Sequence, residues 1–323
     1  MSTSLSWAER TALVQIARMF YLEDLSKVEI AQQLGISRFK VARRLEQARQ
    51  EGIVTIALQP HGTLDPGLSQ ALTNRLGLTE AVVVATSGED EERRDQVASA
   101  AAEVLRDTLH DGEVLGMSWG RTLSRMTEDL TTLPVVSVVQ LTGTVGGSLD
   151  QSPVEIIRRV ATATGGSAHP VFAPMIVGDR ATAAALRQQP DVAAAMALFS
   201  EVTTALLSLG SWDPLDSQLG SALPDERRAE LLARGVVAEF ASTLIARDGS
   251  LLAPDFAGQS IAIQADELRR IPRVLVVAAG SRKVGAMRAL LRAGLVTGVI
   301  TDAEIARALL ADEDLLARGT ARP

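Results

Sequence analysis

Cysteine is absent from the 323-residue chain, and its three histidines, His61, His110 and His169, are scattered along it. The first absence removes disulfides, thiol nucleophiles and zinc-thiolate sites together. The second leaves almost nothing from which to build a histidine-ligated metal centre. No metal, no cofactor and no catalytic residue of these classes is therefore expected. Long apolar runs are missing as well: no stretch reaches about 18 uncharged apolar residues, the length a membrane helix needs. The first residues show no basic segment followed by an apolar one, so neither a membrane span nor a secretory signal is expected, and the chain reads as cytoplasmic. Nor does it have the composition of disorder, since 46% of residues are hydrophobic and 22% charged, ample for a large core. At roughly 150 residues per domain the length suggests two domains, or one α/β domain of about 250 residues with a small satellite.

A net charge of −7 argues at first against nucleic acid. The charge is unevenly placed, however. Residues 1–60 carry eight Lys/Arg against six acids, whereas the remainder carries 24 against 33. Within residues 34–50 the balance is five basic to one acidic. A compact basic patch on an acidic protein is how a small DNA-contacting module joined to a larger domain would look.

Leu13, Ile16, Ala17, Phe20 and Tyr21 recur at spacings of three and four, which predicts an amphipathic helix over residues 7–22. Ser26 with Glu29 three positions later forms a capping box ahead of Ile30, Ala31 and Leu34, and Gly35 stops the second helix. Ser37 caps a third, from Arg38 to about Glu51, with Val41, Leu45 and Ala48 facing inward and the basic residues facing elsewhere. Two helices joined by a tight glycine turn make a helix-turn-helix. Ser37, Arg38, Lys40, Arg43 and Arg44 are its candidate DNA-binding residues, because arginine can bond guanine bidentately and other cations can anchor phosphates. A solvated basic face or a protein-docking domain is the blander reading. Residues 52–56 read as a short strand closing this module, and Gln59-Pro60-His61-Gly62 as a polar linker, which puts a domain boundary near residue 60.

Beyond it, short apolar runs alternate with helical patterns. Strands are predicted at residues 81–85, 114–117, 135–141, 204–209, 274–278 and 296–300, and helices at 92–109, 121–130, 154–163, 282–292 and 303–310. Such alternation implies a parallel sheet with helical crossovers, a Rossmann-like α/β domain over residues 61–323. Three of its strand ends run into small, hydroxyl or glycine residues: Ser118-Trp119-Gly120-Arg121-Thr122, Thr142-Gly143-Thr144-Val145-Gly146-Gly147, and Ala279-Gly280-Ser281-Arg282-Lys283. Turns of this kind aim free backbone N–H groups and hydroxyls at one spot, suiting a phosphate or carboxylate, and ligands of open parallel sheets bind at the strands' carboxyl ends. Glycines that merely turn the chain would look the same at any single loop. Lys283, one of three lysines, sits where it could meet an anion, or could be solvated. Glu239 lies in an apolar stretch where an acid needs a partner, either a ligand hydroxyl or a structural salt bridge.

With these segments in view, the chain resembles the SorC/DeoR family of bacterial sugar-responsive transcriptional regulators over nearly its full length. The segments that carry the resemblance are residues 21–37, 51–54, 116–123, 139–141 and 268–274. The resemblance implies an N-terminal winged helix-turn-helix that reads double-stranded operator DNA. It also implies a C-terminal domain similar to sugar-phosphate isomerases and deaminases, binding a sugar, polyol or phosphosugar and working as a homo-oligomer, dimer or tetramer. By family pattern Ser118, Gly120, Arg121 and Thr122 would hold the phosphate or its equivalent, with Glu239 and Lys283 completing the pocket; Gly143, on the second of the three loops, is a further candidate effector-binding residue. This chain departs from the pattern at Thr142-Gly143-Thr144, Ala238 and Ala279, where members carry glycine, which narrows how closely backbone can approach a ligand. The competing reading is a sugar-phosphate isomerase or deaminase with a helical appendage. Such chemistry needs a placed carboxylate or histidine base, and near the three loops the sequence offers only Glu239.

Overall fold

The computed structural model describes residues 6–54, 62–146 and 152–318 and divides into two compact units, residues 1–59 and 60–323. In the first, α1 (Trp7–Tyr21), α2 (Lys27–Leu34) and α3 (Arg38–Gln50) surround a small core of Leu13, Ile16, Ala17, Met19, Ile30, Val41, Leu45 and Ala48. Local chemistry sets the helix limits. Ser6 with Glu9 and Ser26 with Glu29 form capping boxes at the starts of α1 and α2, each satisfying two orphan N–H groups. Gly35 ends α2 at φ +64, a left-handed conformation that costs glycine least, and its N–H donates to Ala31 and Gln32 carbonyls.

The closing strand expected at residues 52–56 is not formed over 52–54. There the N–H groups of Ile53 and Val54 both donate to the Ala48 carbonyl, so they finish α3 instead of pairing in a ladder. Residues 55 and 56, and the expected linker apart from Gly62, lie outside the described residues.

The second unit is a three-layer α/β fold. Its strands are β1 (Thr63–Leu64), β2 (Glu80–Ala85), β3 (Val114–Met117), β4 (Ser137–Gln140), β5 (Ala168–His169), β6 (Thr204–Trp212), β7 (Leu215–Asp216), β8 (Val236–Phe240), β9 (Thr243–Ala246), β10 (Leu251–Leu252), β11 (Arg273–Ala278) and β12 (Gly298–Asp302). The main sheet runs β1-β2-β12-β11-β6-β3-β4-β5, parallel throughout except for β1 at its edge. Successive side chains of a strand point to opposite faces. Val84, Leu115, Met117, Leu206, Leu275 and Val277 accordingly pack under the helices Asp90–Thr108 and Pro153–Thr164. Val83, Val139, Ala205, Leu207, Val274 and Val276 pack under Pro66–Leu76, Val284–Arg292 and Ala303–Leu310. Burial on both faces explains why these strands read as continuous apolar runs.

Strand β6 is longer than its sequence pattern suggested. Residues 204–208 pair in parallel with β11, and residues 209–211 turn to an antiparallel partner, β8, which continues through β9 to β10. The helix expected over 121–130 is shorter, Arg121–Met126. No helix among the described residues is long and apolar enough to cross a membrane.

Candidate functional site

Strands β3, β6 and β11 are neighbours at the centre of the sheet, and their carboxyl ends open into one cleft. The cleft is lined by Ser118, Gly120, Arg121 and Thr122 after β3, by Ser208 to Gly210 of β6, and by Ala279 and Lys283 after β11. Asp216 and Ser217 enter from the β7 side, Glu239 from β8, and Arg94 from the helix Asp90–Thr108. Two of the three glycine-bearing loops therefore meet, flanking the strand between them.

Gly143, on the third loop, does not line this cleft. Its N–H donates to the Ile261 carbonyl at 2.6 Å, and a Cβ there would stand 2.6 Å from the Ala173 carbonyl oxygen. The glycine is used for close backbone packing. At Gly210 the same economy serves the site: Gly210 is registered opposite Glu239, and a Cβ there would lie 2.5 Å from the glutamate side chain.

Glu239 is 6% exposed and has no salt-bridge partner among the described residues. Its Oε2 accepts hydrogen bonds from Trp212 Nε1 at 2.6 Å and Ser217 Oγ at 2.8 Å. Burial pushes its pKa up to about 7, against the opposing effect of those two donors and of Lys283. Lys283 is 9% exposed and far from solvated. Its Nζ donates to the Leu209 carbonyl at 2.8 Å and the Asp216 carbonyl at 2.5 Å, and pairs with Asp216 Oδ2 at 3.0 Å. Burial lowers the Lys283 pKa, while the Asp216 charge opposes that shift. Asp216 Oδ1 pairs with Arg121 Nη2. Burial alone would raise the pKa of Asp216, but Lys283 and Arg121 outweigh it and hold the carboxyl below its ordinary range.

The hydroxyls have defined roles. Ser118 Oγ accepts from the Ser208 N–H at 3.2 Å, and Ser208 Oγ donates to the Trp119 carbonyl, tying the β3 loop to β6. Arg94 is half-buried, and its guanidinium makes no hydrogen bond or ion pair among the described residues. Burial lowers its pKa, as does the neighbouring Arg121 charge. Three cations thus face one firmly ionised acid, Asp216, a surplus of positive charge suited to an anion. Among the described residues no group of three or more His, Asp or Glu side chains is placed to hold a metal.

Sequence reasoning missed Arg94 and Asp216. Arg94 sits in a charged run, residues 89–95, that reads as a solvated helix face, and Asp216 sits in a short connection without pattern.

On the first unit, Lys40, Arg43, Arg44 and Gln47 line one groove along α3, with Arg44 Nη1 donating to Gln47 Oε1 at 2.9 Å. Arg38 is exposed at the start of α3, stacked 4.9 Å from the Phe39 ring centroid. Ser37 caps the helix, accepting from the Lys40 N–H at 3.2 Å.

Comparisons with known proteins bear on both units. A family model described as "Putative sugar-binding domain" matches residues 63–311. The deoxyribonucleoside regulator of Bacillus subtilis is 28% identical over 93% of this chain and 97% of its own length. The sorbitol operon regulator of Klebsiella pneumoniae is 26% identical over 92% and 97%. Its full-length crystal structure superposes with a TM-score of 0.71 at 24% identity, covering 94% of this chain and 99% of the other, which shows the shared fold.

Proposed function

Because the chain belongs to the SorC/DeoR-type family of sugar-binding transcriptional regulators, we propose that it governs genes for carbohydrate or polyol use in response to a phosphorylated sugar or polyol. DNA binding is assigned to residues 1–60, through Arg38, Lys40, Arg43 and Arg44 on α3, with Ser37 holding the helix start. Effector binding and oligomerisation are assigned to residues 61–323. The observation that carries the effector reading is the cleft's cation surplus: Arg94, Arg121 and Lys283 gather around Asp216 at the carboxyl ends of three adjacent strands. Ser118, Gly120 and Thr122 add small polar groups beside Arg121, while Ser217 and Glu239 supply partners for sugar hydroxyls.

The relatives carry regulator names, not enzyme names, and the chain is read as a regulator rather than an isomerase or deaminase. A dimer or tetramer is proposed because a single helix-turn-helix buries too little surface for ordinary operator affinity. Action on operator DNA places it in the cytoplasm.

A thermal-shift screen against sugars, polyols and their phosphates tests the effector class. A ligand at about 100 times its dissociation constant adds roughly 2.7 kcal/mol to stability. Stabilisation by a phosphorylated ligand, reduced in Arg121→Ala, is the expected result; stabilisation by uncharged sugars alone would contradict it.

A further inference from the structure

If the cleft binds an anion, as proposed above, its cations need other partners before an effector arrives. An ammonium has three N–H donors, and Lys283 has placed all three: on the carbonyls of Leu209 and Asp216 and on Asp216 Oδ2. Arg121 is placed on Asp216 Oδ1. One carboxylate therefore spans two cations with its two oxygens, the arrangement that two oxygens of a phosphate would adopt on the same pair.

An incoming anion reaches Lys283 only by taking the place of one of its acceptors. Two of them are backbone carbonyls, and the Leu209 carbonyl belongs to β6 inside the sheet, where removal of its partner would leave it unsatisfied. The side chain of Asp216 is the one acceptor that can rotate toward water. Its segment is a two-residue strand, β7, pinned to β6 and further held by Arg282 Nη2 on the Leu215 carbonyl at 2.8 Å. Arg94, facing the same cleft with its guanidinium uncommitted, offers an anion its first contact.

We propose that Asp216 is an internal anion that competes with the effector: it occupies Arg121 and Lys283 until the effector's phosphate displaces it. The consequence is selectivity. A small anion must break two charge-assisted bonds and gains, beyond the bonds it replaces, only the contact with Arg94, whereas a phosphosugar also gains partners along Ser217 and Glu239. Asp216 is thus a specificity-determining residue that screens out free phosphate.

The test is calorimetric titration of inorganic phosphate, at constant ionic strength, into the full-length protein and its Asp216→Asn variant, an isosteric change that removes the charge. Phosphate should bind the variant at least tenfold more tightly than the wild type. Asp216→Glu, which retains an internal anion, should keep the weak wild-type binding. Asp216→Ser removes the charge with a smaller side chain, and provides the same comparison should the asparagine variant not fold. Equal or weaker phosphate binding in the charge-removed variants overturns the competitor role while leaving the cation cleft intact. If no form binds phosphate and none binds a phosphosugar, the anion reading fails and the competitor role with it.

Discussion

Replacing Arg43 and Arg44 together with alanine is expected to lower affinity for duplex DNA roughly 100-fold at about 0.1 M salt, since each phosphate anchor contributes through release of condensed counterions. The logarithmic salt dependence should become shallower by about two, one for each arginine that no longer meets a phosphate. If either arginine instead bonds a guanine edge, about 1–3 kcal/mol of sequence discrimination goes with it. The helix should survive. Arg43 is exposed, neither residue belongs to the core of Leu13, Ile30, Val41 and Leu45, and alanine favours a helix at least as well as arginine. Fluorescence anisotropy on a labelled duplex across a salt series measures both quantities, with circular dichroism as the check on folding. Unchanged affinity in a folded variant would remove α3 from the DNA interface.

The second large effect concerns pH. The Glu239 carboxyl has an ordinary pKa of 4.5 and one of about 7 in the folded protein. Below pH 4.5 both states hold the proton and this group contributes no pH dependence. Between 4.5 and 7 the folded chain retains a proton that the unfolded chain has released, so stability falls as pH rises. Above that window both states are ionised and the whole cost is present, about 3 kcal/mol from 1.36 kcal/mol per unit of pKa. Glu239→Gln keeps an oxygen to accept from Trp212 and Ser217 without the buried charge. At pH 8 the variant should therefore unfold higher than the wild type, by about 6 °C at roughly 2 °C per kcal/mol for a unit of this size. At pH 4.5 the two should coincide. A variant less stable than the wild type at both pH values would show that the carboxylate is paired more strongly than its two hydrogen bonds and the nearby Lys283 provide.

What could be read from the sequence was what depends on neighbours along the chain. The helices α2 and α3 carry their caps within three residues, at Ser26 with Glu29 and at Ser37, and both begin where the spacing predicts. Strands β3, β11 and β12 lie between two helical layers, so burial on both faces writes them as uninterrupted apolar runs. The ribbon of β7 to β10 was not legible, because β7 and β10 are two-residue strands, β8 and β9 are short, and Gly210 interrupts β6 where it turns to β8. Residues 52–54 show the opposite error: an apolar, β-branched run after glycine spends its N–H groups on ending α3.

The site divides in the same way. Ser118, Gly120, Arg121 and Thr122 follow a strand, and Lys283 follows another, so the rule that ligands bind at carboxyl ends found them. Gly143 obeys the same pattern for a different cause, the approach of the Ala173 and Met175 backbone. Asp216 and Arg94 were hidden because a charge in a loop or on a helix usually faces water, and only tertiary structure turns these two toward the cleft. Glu239 was noticed through its cost, since an acid among apolar residues needs partners. Within the chain those partners are Trp212 and Ser217, and no salt bridge holds it among the described residues.

An anionic sugar-type ligand, held by Arg121 and Lys283, is proposed to change how the chain binds DNA. The most direct test is the affinity for a duplex selected from a random-sequence pool by the full-length protein, measured with and without the phosphorylated ligand found by thermal shift. At least a tenfold change is expected in the wild type, in either direction, and little or none in Arg121→Ala at the same ligand concentration. An identical response in both proteins would place the effector elsewhere and contradict the proposal.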